Sequence, residues 1–212
     1  MNNTTIQKLS EYFEKLPGIG PRQARRFVHF LLNKNVSFLS EFANLLNALK
    51  QDIKQCSNCN RFFQHKEAYP VEQSQACNIC NNLNRDKKTL LVIEKDIDLE
   101  NIEKTGTYNG FYFVLGGLIP AIGSEIPKEV KMKKLFEKVK KEISKNELEE
   151  IILAFSATQE SDNTVRYIEK ILEPIFEKRK IKISRLGRGL STGTELEYSD
   201  KETIVNALKN RK

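Results

Sequence analysis

The chain has 212 residues with a net charge of +7, 39% apolar and 30% charged, which is enough apolar material for a packed core and excludes a low-hydropathy disordered chain. No apolar run reaches the length of a membrane span. The first residues lack the basic-then-apolar pattern of a secretory signal, so the expected compartment is the cytoplasm. The charge is uneven: residues 1–54 hold eight Lys/Arg against four Asp/Glu, and residues 89–212 hold 22 against 21. A basic first part suits a polyanion, because Lys and Arg release counterions condensed on nucleic acid.

Residues 5–54 read as helices. Ile6, Leu9, Phe13 and Leu16 recur at spacings of three and four. Pro17-Gly18-Ile19-Gly20-Pro21 breaks that period, and Ala24, Phe27, Val28 and Leu31 resume it. A third helix from Ser37 carries Phe38, Phe42, Leu45, Leu46 and Leu49, with Ser37 or Ser40 as the expected N-cap. Between the first two helices, Gly18 and Gly20 allow a tight turn and close approach of another backbone. Pro21 suits a first helical turn, where its missing N–H costs nothing. The free amides there, aided by the helix dipole, favour a phosphate, and Arg22, Arg25 and Arg26 lie in the next turn. Ile19 is expected to anchor the turn in the core. The stretch resembles the helix-hairpin-helix motif of DNA-binding proteins, which grips phosphates without reading bases. A plain αα-corner with solvated arginines is the alternative. His29, on the following helix, reads as a packing residue.

Residues 55–84 are polar and rich in Asn and Cys, without an apolar period, as in a module too small to bury its own core. Cys56, Cys59, Cys77 and Cys80 form C-x2-C-x17-C-x2-C. Each pair can bring two sulfurs to one ion, and the spacer lets the second pair complete a tetrahedron, so the pattern predicts a structural zinc site. Four thiolates leave no position for a catalytic water, and metal affinity becomes folding energy. Two disulfides or four free thiols are the alternatives, and a cytoplasmic setting disfavours the disulfides. His65, inside the loop, is a spare candidate ligand and reads as a surface residue.

From residue 88 strands and helices alternate. Strands are expected at Leu90–Ile93, Phe111–Leu115, Ile151–Phe155 and Ile181–Leu186, and helices over 128–145, 162–178 and 200–210. Such alternation predicts a mostly parallel sheet with crossover helices. Glu94 then falls at the carboxyl end of a strand, where α/β sites form. Toprim domains carry a glutamate there and a D-x-D after a later strand, which together hold magnesium. Here the later strand runs into Ser156-Ala157-Thr158, with Glu160 and Asp162 slightly beyond. That set is poor for cleavage, which needs clustered carboxylates. Asp96 and Asp98 are expected to cap the next helix. The tyrosines read as packing residues, with none placed as a nucleophile. Gly116-Gly117 reads as a turn. Arg185 and Arg188, around a small-residue loop lacking the Walker A spacing, could hold an acidic group or be solvated.

The order of these pieces resembles the RecR family across nearly the whole chain. The residues carrying the resemblance are Leu16 to Pro21, Cys56 to Cys80, Val92-Ile93-Glu94, Glu103-Lys104-Thr105-Gly106 and Val114-Leu115-Gly116-Gly117. Thr158, Glu160, Asp162 and Thr164 look like the family's T-x-E-x-E-x-T segment, with aspartate as the second acid. Arg188-Gly189-Leu190, Gly193 and Glu195 to Tyr198 look like its closing stretch. Ser156-Ala157 stands where the family has Asn-Pro, Lys95 to Asp98 is a loose match, and the loop Asn60 to Ala76 is longer than expected.

The resemblance implies a multi-module α/β protein: a helical helix-hairpin-helix region over 1–54, a small four-cysteine zinc finger over 55–87, a Toprim domain over 88–180 and a strand-loop-helix segment over 181–212. It implies a non-enzymatic recombination mediator built as a ring-shaped homotetramer that encircles or clamps DNA. Such a protein works with RecO, and in some organisms RecF, to displace single-strand-binding protein and help load RecA at gaps. By the same resemblance Arg22, Arg26 and Arg25, with Gly18 and Gly20, face DNA, and Glu94, Glu160 and Asp162 contact a partner. A Toprim-type magnesium-dependent nuclease or primase-like enzyme using Glu94 is the competing reading. A zinc-stapled module binding an acidic protein is a third.

Overall fold

A computed structural model describes residues 4–64, 75–123, 125–145, 147–176, 180–187, 189–190, 193 and 195–211. His65, Arg188 and most of the Asn60–Ala76 loop lie outside the described residues. The chain divides into two compact units, Met1–Ile53 and Lys54–Lys212. Among the described residues no helix is long and apolar enough to cross a membrane.

The first unit holds three helices: α1 (Thr5–Glu14), α2 (Pro21–Leu32) and α3 (Val36–Asp52). Thr4 caps α1 by accepting from the Gln7 amide. α1 packs on α2 through Phe13 and Phe27, whose rings meet edge to face at 5.6 Å. Ala24 and Val28 are buried. The cap of α3 is Asn35, which accepts from the Phe38 amide at 2.8 Å, and not Ser37 or Ser40. Asparagine outcompetes them because it already stands one residue before the first helical turn. α3 buries none of its residues, and Leu45, Leu46 and Leu49 are each more than half exposed.

The second unit opens with the short strands β1 (Ile53–Gln55, whose first residue ends the first unit) and β2 (Phe62–Gln64), followed by one helical turn, α4 (Asn78–Asn81). The α/β part follows: β3 (Asp86–Ile93), α5 (Asp96–Thr105), β4 (Gly110–Val114), α6 (Met132–Ser144), β5 (Glu150–Ala154), α7 (Gln159–Phe176) and β6 (Lys182–Arg185). A 3-10 turn (Leu196–Tyr198) and α8 (Lys201–Lys209) close the chain, with Asp200 capping α8 through the Glu202 and Thr203 amides. The sheet order is β4-β3-β5-β6, with every pairing parallel. Leu90 pairs with Phe111 and Ile151, and Ile93 with Val114 and Ala154.

Alternation along the strands sends side chains to two cores. Leu90, Val92, Phe113, Leu115, Ile151 and Leu153 pack with Leu135 and Val139 of α6 and Ile168 and Leu172 of α7. Leu91, Ile93, Tyr112, Val114 and Ala154 pack with Leu99 of α5 and with Cys56, Cys59 and Cys77. The expected strands and helices are therefore present within a few residues of their anticipated bounds. The cysteine segment buries Cys56, Cys59, Cys77 and Ile79 against the sheet.

Candidate metal centre and nucleic-acid interface

The four cysteines meet. Their sulfurs all lie within 4.8 Å of one another, and the Sγ atoms of Cys59 and Cys77 are 3.6 Å apart. A tetrahedral ion with metal–sulfur bonds of zinc length would set sulfur pairs about 3.8 Å apart, so the set fits such an ion. Asn60, in the left-handed region at φ 61°, turns the first pair back: its amide donates to the Cys56 carbonyl at 3.0 Å. The second pair is held by the start of α4, where the Asn81 amide donates to the Cys77 carbonyl at 3.0 Å. The Ser57 amide donates to the Gln75 carbonyl, and the Cys77 amide to the Cys56 sulfur, so the pairs are joined by backbone as well. The four sulfurs act on one another: hydrogen bonding to Cys56 and burial raise Cys59, while hydrogen bonds from Cys59, Cys77 and Cys80 lower Cys56.

This centre is wired into the sheet. The Val114 amide, on edge strand β4, donates to the Cys59 carbonyl at 2.8 Å. The Phe62 amide donates to Asp96 Oδ1 at 2.8 Å. Burial pushes the Asp96 carboxyl up, opposed by that hydrogen bond and by nearby Arg61. Asp98 caps α5 as expected, by accepting from the Lys95 amide. Asp96 instead spans 34 residues of chain to tie down the cysteine segment, which spacing gave no means of seeing. A second tie, equally invisible in spacing, joins Arg85 after the last cysteine to Glu103 of α5 and to the Gly110 carbonyl. Tyr112 donates to Glu103 from the opposite side, at 2.6 Å.

In the first unit, Leu16 to Pro21 forms a compact turn. The Leu16 amide donates to Phe13, and the Ile19 amide to Leu16. Gly18 stands at φ +79°, which an L side chain rarely adopts, so glycine is needed there. Gly20 has ordinary extended dihedrals and open space around a notional Cβ. No side chain caps the N-terminus of α2, and Pro21 occupies its first turn as expected. Arg22, Arg25 and Arg26 are exposed and have no acidic partner among the described residues. Ile19 is half-buried, a weaker anchor than expected. His29 is exposed and not packed, because the buried stripe of α2 passes through Ala24 and Val28.

Glu94 and the first turn of α7, with Glu160 and Asp162, follow adjacent parallel strands and share the carboxyl edge of the sheet. The chain leaves β3 in one direction and passes over it to β5, so this edge holds the topological switch point. The acids are not gathered: among the described residues the cysteines are the one group of three or more potential metal ligands. Glu94 pairs with Lys95 at 2.8 Å. Asp162 faces Arg185 at 3.5 Å, and Arg185 also pairs with Glu169 at 3.1 Å, so this exposed arginine already holds acidic partners within its own unit. Gly116 does more than turn: at φ +90°, a Cβ there would collide with the Glu129 carbonyl oxygen. Tyr112 is fully buried, whereas Tyr12, Tyr167 and Tyr198 are exposed, against the expectation that the tyrosines pack.

A basic, uncapped helical hairpin, a four-thiol centre and a parallel sheet with a switch-point glutamate define a helix-hairpin-helix and Toprim protein. Family models agree: residues 6–50 match RecR, helix-hairpin-helix; residues 88–187 match the Toprim domain; and residues 189–212 match RecR, C-terminal. Recombination protein RecR of Chloroherpeton thalassium is 36% identical over 206 residues, spanning 97% of this chain and 95% of that relative. The same protein of Streptococcus equi subsp. zooepidemicus is 34% identical, spanning 97% and 96%, and that of Prochlorococcus marinus (strain MIT 9312) 36%, spanning 97% and 94%. The chain belongs to the RecR family of recombination proteins.

Proposed function

We propose that the protein is a non-catalytic DNA-binding mediator of recombinational repair in the cytoplasm. It would act with RecO, and in some organisms RecF, to help load RecA at single-stranded gaps. The observation that carries the reading is the hairpin: an uncapped helix N-terminus followed by three exposed arginines with no acidic partner among the described residues. Gly18, Gly20, Arg22, Arg25 and Arg26 form the DNA grip in this reading, with phosphate as the group recognised. Glu94, Glu160 and Asp162 form the partner-binding edge. Cys56, Cys59, Cys77 and Cys80 hold zinc, whose borderline-soft character suits four thiolates. The working modules are 1–54, 55–87, 88–180 and 181–212. A non-catalytic role is supported by Ser156-Ala157-Thr158 standing after β5, where a nuclease needs acids to hold its metal. A homotetrameric ring is supported by the open apolar residues of α3, which need covering.

The test is a gel shift at low and moderate salt, comparing wild type with Arg22→Ala/Arg26→Ala, with and without RecO. Zinc content and nicking are scored on the same samples. The expected result is salt-sensitive binding, lost in the variant, with no cleavage. Equal binding by both proteins overturns the hairpin assignment. Magnesium-dependent nicking abolished by Glu94→Ala overturns the non-enzyme reading.

A further inference from the structure

A second basic feature lies in the other unit, away from the hairpin sequence. Lys134, Lys138, Lys141 and Lys145 fall at spacings of four, three and four along α6, which places them on one helix face. At the rise of an α-helix this row is about 16 Å long. Three of them, Lys138, Lys141 and Lys145, line a cleft of about 290 Å³ between α6 and the cysteine segment, joined by Lys87 from β3. The fourth, Lys134, reaches the residue after the first cysteine pair, with its Nζ 3.4 Å from Asn60 Oδ1.

The ion pairing inside the cleft is incomplete. Glu147 takes Lys87 at 3.0 Å, and Glu142 takes Lys145 at 3.2 Å. Lys138 and Lys141 have no acidic partner among the described residues. The floor is apolar, from Phe111, Leu90 and Leu148, and Leu83 stands 88% exposed at its margin. Asn58 and Asn82 add side-chain amides, the Asn82 oxygen already accepting from the Asn84 amide at 3.0 Å. Two uncommitted ammonium groups, on Lys138 and Lys141, beside apolar and amide-bearing lining suit the phosphates of a strand carrying unpaired bases. A duplex keeps its bases stacked inside and would offer nothing to that floor. An acidic peptide would use the lysines but bring no flat bases to lie against Phe111 and Leu83.

We propose that this cleft is a second nucleic-acid site, in which Lys138 and Lys141 hold the phosphates of a single strand while its bases rest against Phe111 and Leu83. The proposal rests on the reading that the protein binds DNA, but not on the hairpin being the place. Cys80 lines the same cleft, which ties its shape to the cysteine centre.

The experiment is fluorescence anisotropy of a labelled short oligothymidylate across a salt series, using zinc-loaded full-length protein. Four proteins are compared: wild type, Lys138→Ala/Lys141→Ala, the charge-matched control Lys133→Ala/Lys140→Ala, and Arg22→Ala/Arg26→Ala. Lys133 and Lys140 lie on α6 outside the cleft. Losing two phosphate contacts to a single strand should lower the salt slope, log K against log [salt], by about 1.4 in the cleft variant. The control should keep the wild-type slope. An unchanged slope in the cleft variant, or the same drop in the control, overturns the proposal. So does a short oligoglutamate peptide whose binding is lost in the cleft variant while DNA binding stays intact. Loss in the cleft variant with none in the arginine variant keeps the proposal and removes the hairpin reading, and the converse removes only the cleft.

Discussion

Val114 donates its backbone N–H to the carbonyl of Cys59, across 55 residues of chain, at 2.8 Å. That bond spends the outward amide of an edge strand on the loop that carries a metal ligand. The cysteine segment is thereby a structural part of the sheet unit, so a metal bound by its four sulfurs would be coupled to the sheet.

Chelation of the metal, or Cys59→Ser, should therefore lower the thermal stability of the whole Lys54–Lys212 unit and not merely loosen the loop. Cys59 is fully buried in the core shared with Leu91, Ile93 and Tyr112. An uncompensated buried polar group there costs about 1–3 kcal/mol before the lost metal is counted. Amide hydrogen exchange at Val114 and Tyr112 checks it: protection should fall on zinc removal. Unchanged exchange on β4 would show that the segment unfolds independently.

Glu103 supplies a pH signature. Burial raises its carboxyl, but the hydrogen bonds from Arg85 and Tyr112 outweigh that and hold it below the ordinary carboxylate value. A depressed folded pKa adds stability that is present above the unfolded value, near pH 4.3, and is lost as pH falls through the folded value. Glu103→Gln should cost about 2 kcal/mol at neutral pH, leaving Arg85 short of its charged partner. It should also flatten the acid limb of the stability curve below about pH 4.3. Urea melts across pH read both effects.

The two glycines of the hairpin should separate stability from binding. Gly18→Ala forces a side chain into the left-handed region and should destabilise the first unit by about 1–2 kcal/mol. Gly20→Ala meets no atom within 4 Å and keeps an ordinary conformation, so it should cost about 0.5 kcal/mol. If DNA approaches this backbone, Gly20→Ala nonetheless weakens binding. Thermal melts and gel shifts on the same two variants give the comparison.

Gly116→Ala should be among the most damaging single changes to the sheet unit, at about 2–4 kcal/mol. It combines a positive φ with a collision against the Glu129 backbone, which no side-chain rotation relieves. A loss below about 1 kcal/mol in chemical denaturation would place the residues around Glu129 among the adaptable parts of the chain.

Leu45→Glu/Leu49→Glu tests whether α3 is covered by another copy. Both leucines are more than half exposed in the single chain, so the change should leave the monomer folded. Sedimentation should show loss of the larger species, and an unchanged assembly would move the contact off α3.

Much of this architecture was legible because it depends on local periodicity. Leu90 to Ile93 announces a buried strand, and the cysteine spacing announces a shared ion, since both follow from the reach of neighbouring side chains. What escaped depends on pairs far apart in the chain. Asp96 looks like any helix-start acid until Phe62 is beside it, and Arg185 looks like a loop cation until α7 brings Glu169 to it. His29 sits outside the core because the buried stripe of α2 is narrower than its apolar composition suggests. Asn35 is hard to tell from Ser37 and Ser40 in sequence, because all three residue types share the same capping preference.

The cysteine segment precedes in sequence nearly everything it packs against. Its core partners run from Leu91 to Ala154. On a ribosome the four thiols therefore emerge before the strands that shelter them, and the core around them is complete only once β5 has been made.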